Sequence, residues 1–251
     1  MARRASKAAE VHAINPRQQS TSRRKIRIDD LRTIDPLTKN QERFFEAYKN
    51  GSELMVLHGV AGTGKSFIAL YKAIEEVLDK GKHFDKLIIV RSAVQSREVG
   101  HLPGDLEEKL EQYQLPYKAI MNNLFSGVSE VYDKLTTQGV IEFASTSFVR
   151  GMTFDDSIVI VDECQNLSWE ELDTIITRIG DRSKIVFCGD YRQTDLKKAG
   201  DKSGLFKFLN ILNGMSGHTR IEFHVDDIVR SDLVKQYILA RMDYEDKENK
   251  K

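Results

Sequence analysis

A glycine-rich segment, GVAGTGKS, begins at Gly59 and ends at Ser66. It follows the apolar run ELMVLH and precedes the amphipathic run FIALYKAIEEVL, so a strand, a loop and a helix are predicted in the order that a phosphate-binding loop (P-loop) requires. In such a loop the backbone N–H groups and the helix N-terminus face phosphate oxygens. Lys65 is predicted to contact the β and γ phosphates, and the Ser66 hydroxyl is predicted to ligate Mg²⁺. The predicted nucleotide-binding residues of the loop are Gly59, Val60, Ala61, Gly62, Thr63, Gly64, Lys65 and Ser66.

Two adjacent acids, Asp162 and Glu163, end the apolar run in SIVIVDECQNLSWEEL. Two carboxylates are costly to hold at such a place without a cation or access to a site. In P-loop enzymes the first acid holds Mg²⁺, usually through water, so Asp162 is predicted to hold the metal beside Ser66. Glu163 is predicted to orient or activate an attacking water. The alternative is a pair of solvated acids that only ends a strand.

Gln193 follows a third apolar run, in KIVFCGDYRQTD. Gly and Asp after a strand usually form only a turn. Because this segment comes after the two others in the expected order, Gln193 is predicted to hydrogen-bond the γ phosphate or the attacking water.

These side chains need a scaffold that brings the ends of several strands together. The runs LMVL, LIIV, SIVIV and KIVF are continuously apolar, which is typical of strands buried on both faces of a parallel sheet. The sequence therefore predicts an α/β fold with one doubly wound, mostly parallel sheet, helices on both faces, and the ligand beyond the carboxyl ends of the strands. Strands are predicted at 54–58, 86–90, 141–144, 158–161, 185–188 and 221–223. Helices are predicted at 65–78, 106–112, 117–126, 169–179, 203–212 and 231–241.

The composition excludes several classes of protein. The 38 basic and 38 acidic residues cancel, so net charge gives no general attraction to nucleic acid or membrane. Cys164 and Cys188 stand in apolar runs without metal-ligand spacing. Both are therefore expected to be reduced thiols that pack in the core. A cytoplasmic protein without a membrane partner is expected, because no run of about 18 apolar residues occurs.

The chain divides into a basic N-terminal arm at 1–35, an ATPase domain at 36–241 and a polar tail at 242–251. Within the first 28 residues, eight basic residues stand against the single acid Glu10. This excess predicts either a contact with nucleic acid phosphates or an ordinary solvated tail, and both interpretations stay open.

Together these segments resemble the PhoH-like family of P-loop ATPases, relatives of the motor core of superfamily 1 helicases. The most specific stretch is IIVRSAVQSREVGHLPGDLEEKLEQYQLPY, which is similar to the family pattern R-P-x-V…G-F-L-P-G-D…E-K…P-Y. DECQN, GDYRQTD and FHVDDIVRSDLV extend the resemblance to about residues 38–239. It implies a single RecA-like domain that uses ATP and Mg²⁺.

The resemblance also implies roles for individual residues. Gln41 resembles the glutamine that reads the adenine edge, although a plain polar helix residue is the alternative. Arg230 resembles an arginine that contacts the triphosphate, and residues 91–94 resemble a segment that contacts a nucleic-acid backbone. The chain departs from the family pattern at four residues, of which Met152 bears on an RNA or phosphate contact because arginine is common there. The departures are Ser92, His101, Met152 and Cys164.

The leading function is ATP hydrolysis coupled to RNA or single-stranded DNA, as in a helicase-like ATPase. A nucleotide-gated scaffold with slow hydrolysis and a P-loop kinase are the alternatives. Superfamily 1 motors place the nucleotide between two cores, but only one core is predicted in this chain. A closed homo-oligomer is therefore expected, and analogy with other ring-forming P-loop motors suggests six subunits. In that ring Arg230 of one subunit would complete the ATP site of the next, or else Arg230 pairs locally with Asp226 or Asp227.

Overall fold

The fold is centred on one six-stranded sheet in which all strand pairs are parallel. The computed structural model describes residues 25–92, 106–190 and 204–248. The order of the strands across the sheet is β3-β2-β4-β5-β1-β6. This arrangement confirms the predicted α/β class with a single P-loop domain of RecA type. The strands are β1 (Leu54–Gly59), β2 (Lys86–Arg91), β3 (Ile141–Ser145), β4 (Ser157–Asp162), β5 (Lys184–Gly189) and β6 (His218–Phe223).

Seven α-helices lie in the described residues. Two of them, α1 and α4, were not predicted, because one carries mostly polar residues and the other has only seven residues. The predicted break between helices at 112 and 117 was wrong. Pro116 lies inside one continuous helix, whose buried residues Tyr117, Met121 and Leu124 outweigh the local cost of proline. The helices are α1 (Lys39–Lys49), α2 (Lys65–Leu78), α3 (Leu106–Leu124), α4 (Val131–Thr137), α5 (Trp169–Ile176), α6 (Gly204–Leu212) and α7 (Asp232–Glu248).

Each face of the sheet is covered by its own apolar core. Alternate residues of one strand point to opposite faces, so Ile158 and Ile160 of β4 join one core while Val159 and Val161 join the other. The first core contains residues of α1, α2, α3 and α4, and the second contains residues of α5 and α6. Helices on both faces are thus confirmed, and the fully buried central strands β1, β4 and β5 leave little room for polar groups away from their ends.

The strand order determines where those ends meet. Strand β5 lies between β1, which leads into the glycine-rich loop, and β4, which ends in Asp162. All three strands run in the same direction, so their carboxyl ends lie at one edge of the sheet. Helix α2 leaves the glycine-rich loop and contacts β5 and β4. The three predicted site segments are therefore neighbours in the fold.

The N-terminal end of the described chain packs on the domain, and the C-terminal end is helical. Ile26 is buried in the first core, and the Arg32 N–H donates to the Leu124 carbonyl at 2.8 Å. Residues 25–35, which the sequence analysis counts with the arm, are therefore held against α3. Helix α7 continues to Glu248, through most of the predicted tail. Among the described residues, no helix has the length and apolar character needed to cross a membrane.

His58 is a fully buried histidine at the carboxyl end of β1. Its Nε2 accepts a hydrogen bond from Arg220 Nε at 2.7 Å. Burial and the Arg220 charge lower the pKa of His58 to about 4. The His58 side chain is therefore packed and hydrogen-bonded.

We predict that His58 makes the protein less stable in acid. Between pH 6.5 and 4 the unfolded state binds the proton more readily than the folded state, so the free energy of unfolding falls as the pH falls. His58→Gln keeps an acceptor for Arg220 without a titrating group. Urea unfolding gives the free energy of unfolding at pH 7 and at pH 5. The decrease between these two pH values should be smaller in His58→Gln than in the parent protein by about 1 kcal/mol, after allowing for solvent screening. Equal losses in the two proteins would contradict this role.

Candidate nucleotide site

The loop between β1 and α2 has the backbone of a phosphate cradle. At Gly59, with φ of +123°, a Cβ atom would lie 2.1 Å from the Phe223 backbone oxygen, so β6 leaves no room for a side chain. Gly64 is the N-cap of α2 and is left-handed, with φ of 80°. The Thr63 hydroxyl donates to the Val60 carbonyl at 3.0 Å and braces the turn. The loop thus leads directly into a 14-residue helix whose N-terminus favours an anion.

The Lys65 ammonium lies inside this loop. Its Nζ donates to the Gly59 carbonyl at 3.1 Å, the Val60 carbonyl at 2.8 Å and the Thr63 hydroxyl at 3.3 Å. Burial lowers the pKa of Lys65, and the Asp190 carboxylate acts in the opposite direction. Lys65 is therefore a cation held inside the loop, and its contact with the β and γ phosphates stays a prediction.

Ser66 and Asp162 are brought together although they are 96 residues apart. The Ser66 hydroxyl donates to Asp162 Oδ1 at 2.6 Å. The other carboxylate oxygen, Oδ2, accepts a hydrogen bond from the Tyr117 hydroxyl at 3.0 Å. A hydroxyl and a carboxylate side by side are the oxygen ligands that Mg²⁺ takes alongside waters and phosphate oxygens. The two residues predicted as metal ligands therefore fit that ion.

Glu163 is held by the side-chain amide of Gln165, a residue of the DECQN segment for which the sequence predicts no role. Gln165 Nε2 donates to Glu163 Oε2 at 2.5 Å, and Gln165 Oε1 accepts from the Asp190 N–H at 3.0 Å. Gln165 is buried and so links the end of β4 to the end of β5. Burial raises the pKa of Glu163, the Asp162 charge raises it further, and the Gln165 hydrogen bond lowers it. A carboxylate with a raised pKa is better suited to accept a proton near neutral pH.

Gln41 lies against the glycine-rich loop. Its Nε2 donates to the Thr63 carbonyl at 2.9 Å, and its Oε1 accepts from the Leu37 N–H at 2.8 Å. The side chain is buried near the start of α1, whose N-cap Thr38 accepts from the Gln41 N–H. These bonds connect α1 to the loop and place the Gln41 amide at the cleft described below.

Arg230 lies beside the glycine-rich loop of its own chain. The Val229 N–H donates to the Gly62 carbonyl at 3.1 Å, and Arg230 Cγ lies 3.1 Å from the place that a Cβ on Gly62 would take. Among the ion pairs of the described residues, none joins Arg230 to Asp226 or Asp227. The Asp227 carboxylate instead accepts hydrogen bonds from other groups of the domain.

These groups surround a cleft of about 630 Å³ at the carboxyl edge of the sheet. This volume suits a small ligand such as a nucleotide. The lining also includes Ile34, Leu37 and Phe67, and Ile120 and Asn123 of α3. The predicted site residues that line the cleft are Gln41, Ala61, Gly62, Thr63, Gly64, Lys65, Ser66, Asp162, Glu163 and Arg230.

Some predicted site residues are placed elsewhere or cannot be placed. Gln193 and residues 93–97 lie outside the described residues. Arg91 ends β2 directly beside Asp162 in the strand register, and its guanidinium lies 5.7 Å from the Tyr113 ring centroid. Met152 packs against the second core, which gives a packing reason for an apolar residue at this departure from the family pattern.

The comparisons with known proteins agree with the resemblance drawn from the motifs. A family model described as PhoH-like protein matches residues 33–242. The PhoH-like protein of Bacillus subtilis is 38% identical over 211 residues, covering 83% of this chain and 64% of the relative. The PhoH-like protein of Mycobacterium tuberculosis is 35% identical over 216 residues, covering 86% of this chain and 60% of the relative. This chain therefore spans about three fifths of the length of these relatives.

Solved structures show more distant similarity. The large terminase of a thermophilic bacteriophage has a TM-score of 0.47 and 11% identity, covering 81% of this chain and 50% of that one. The Pif1 helicase of Candida albicans has a TM-score of 0.37 and 16% identity, covering 76% and 40%. The family model, by contrast, matches nearly all of the described chain. The chain therefore belongs to the PhoH-like protein family.

Proposed function

We propose that this protein is a Mg²⁺-dependent ATPase whose hydrolysis is coupled to RNA or single-stranded DNA. The observation that carries the ATPase part is the convergence of Lys65, the Ser66–Asp162 pair and Glu163 around one cleft. A cation, a pair of oxygen ligands and a base are the groups that phosphoryl transfer to water needs. The family assignment supports this interpretation.

The binding step uses groups already directed into the cleft. Backbone N–H groups of the loop and the N-terminus of α2 receive phosphate oxygens, and Lys65 exchanges its bonds to the loop carbonyls for the β and γ phosphates. Ser66 and Asp162 would hold Mg²⁺. Bound there, Mg²⁺ neutralises charge that develops on the phosphate oxygens. No group of three or more His, Cys, Asp or Glu that could hold a metal occurs in the described part of the chain, so this site would rely on the nucleotide for further ligands.

The chemical step is assigned to Glu163. Its carboxylate orients a water molecule and accepts a proton as the water oxygen bonds to the γ phosphorus; the bond from that phosphorus to the β–γ bridging oxygen breaks, and ADP and inorganic phosphate are released. Gln165 donates a hydrogen bond to the Glu163 carboxylate. It also accepts one from the backbone N–H of Asp190, which follows β5 and precedes Gln193 in the sequence. Gln193 itself remains a proposed contact of the γ phosphate or the water.

The proposal also includes contacts with the adenine base, with nucleic acid and with other copies of the chain. Gln41 retains one amide hydrogen and one oxygen lone pair beyond its two bonds, which suffices to read an adenine edge. The basic arm and the segment after Arg91 are proposed contacts of a nucleic-acid backbone. A homo-oligomeric ring is retained as a proposal, but the position of Arg230 beside its own loop also allows it to act within one chain. The free, buried cysteines Cys164 and Cys188 suit the proposed cytoplasmic location.

The first prediction separates nucleotide binding from hydrolysis. Lys65→Ala removes the cation in the cradle, so both ATP affinity and turnover should be lost. Glu163→Gln keeps the shape but cannot accept a proton, so turnover should fall by about 10² to 10⁴-fold while ATP still binds. Steady-state ATPase assays and binding of a fluorescent ATP analogue measure the two effects.

Exposed residues of the same types serve as controls for these variants. Lys80→Ala and Glu170→Gln change a lysine and a glutamate at exposed positions near the ends of α2 and α5, and both should behave like the parent protein. Normal turnover in Glu163→Gln would refute the assignment of the base. Unchanged ATP binding in Lys65→Ala would refute the nucleotide site.

The second prediction concerns the pH dependence of turnover. The Gln165 hydrogen bond lowers the pKa of Glu163, so Gln165→Leu should raise that pKa. The active form of the base is the deprotonated one, and the acid side of the rate profile should therefore move to higher pH. The measurement is kcat between pH 5 and 9 for both proteins. An acid side at the same pH would show that Gln165 does not act on the reacting carboxylate.

The third prediction tests the arm as a nucleic-acid contact. Because Ile26 belongs to the core, the change is confined to residues 1–24, with their six basic residues replaced by glutamine. Binding to single-stranded RNA or DNA should weaken, and the slope of log K against log salt should shrink by about 0.7 for each lost phosphate contact. Fluorescence anisotropy from 50 to 300 mM salt measures both. The same slope in both proteins would identify the arm as a solvated tail.

A further inference from the structure

Tyr117 is the one residue of α3 in the described structure that hydrogen-bonds a predicted site residue. Its hydroxyl donates to Asp162 Oδ2 at 3.0 Å, while Ser66 donates to Oδ1 of the same carboxylate at 2.6 Å. Each oxygen of Asp162 is thus occupied by a neutral hydroxyl donor. The two donors come from different helices, α2 and α3, which meet at this carboxylate.

The surroundings make this bond more than a chance contact. Tyr117 has no exposed surface and Asp162 is 6% exposed, so both groups have little access to water. Loss of a hydrogen-bond donor destabilises a buried carboxylate, because water cannot reach the carboxylate to replace the donor.

Packing fixes the Tyr117 ring itself. Tyr117, Met121 and Leu124 of α3 belong to the first core, and the Tyr117 ring lies 5.9 Å from the Phe143 ring on β3. The hydroxyl therefore approaches Asp162 from a fixed direction. Rotation of the carboxylate about its last side-chain bond would break the bond to Tyr117, the bond to Ser66, or both.

We propose that Tyr117 is a positioning residue for Mg²⁺: its buried hydroxyl holds the Asp162 carboxylate in the orientation in which Asp162 and Ser66 together receive the ion. This inference rests on the proposed function, because it needs Asp162 to act on Mg²⁺. It goes further by assigning the orientation of the metal ligand to α3, an element outside the glycine-rich loop and the acidic strand end. Partners that hold a metal ligand typically change metal affinity by 10 to 100-fold when removed.

The test is Tyr117→Phe, which keeps the ring and removes only the hydroxyl. Binding of a fluorescent ATP analogue is measured as Mg²⁺ is titrated and again in excess EDTA. The Mg²⁺ concentration at half-saturation should rise about 10-fold, whereas the affinity in EDTA should be unchanged. The same titration on Asp162→Asn and on the double variant should show that the effect of Tyr117→Phe disappears once the carboxylate is absent.

Tyr132→Phe is the matched control. Tyr132 is a buried tyrosine of the same core, and its hydroxyl has no hydrogen-bond partner in the described structure. This variant should leave the Mg²⁺ midpoint unchanged. Tyr117→Met, which also lacks the hydroxyl, replaces Tyr117→Phe if the latter does not fold.

The possible outcomes are distinct. An unchanged or lower Mg²⁺ midpoint in Tyr117→Phe would overturn the proposal, and so would an equal loss of affinity with and without Mg²⁺, which indicates general damage to the fold. Failure of the parent protein to bind the nucleotide at all would instead refute the proposed function. A raised midpoint with unchanged EDTA affinity supports the positioning role.

Discussion

Burial of the sheet on both faces is the constraint on which the rest of the molecule depends. Strands β1, β4 and β5 are buried along their whole length, so their charged groups can appear only where the strands end. The parallel direction then brings those ends to one edge. Asp162, Glu163 and Asp190 follow from this rule, as each stands at or just after the last residue of a strand. The candidate site is in this sense a consequence of the core.

Hydrogen bonds between segments that are distant in sequence hold this edge together. Gln165 connects the ends of β4 and β5, Tyr117 connects α3 to β4, and Gln41 connects α1 to the glycine-rich loop. All three side chains are buried, so each bond is costly to break and restricts the neighbouring reactive group. Glu163 is thereby held by Gln165, and the glycine-rich loop is held by Gln41.

The sequence predicts the parts of this arrangement that depend on local pattern. Continuous apolar runs identify the strands, and glycines with the following lysine and serine identify the loop. Tyr117 and Gln165 stand within the P-Y and DECQN segments that resemble the family pattern, but their residue types alone do not show what their side chains contact. Their roles arise from contacts across 45 residues and between two strand ends. The unbroken helix through Pro116 was missed for a related reason, since packing of the residues after it decides the outcome.

The place of β5 between β1 and β4 has a mechanical consequence. Neighbouring strands are about 4.8 Å apart, so the strand that leads to the phosphate cradle and the strand that carries Asp162 are separated by roughly twice that distance. The distance across the candidate site is therefore set by one intervening strand, and a change in sheet twist would alter it. A force that shears β5 against its two neighbours would shift the glycine-rich loop relative to Asp162. The shape of the sheet and the spacing of the side chains at its edge are thus linked through a single strand.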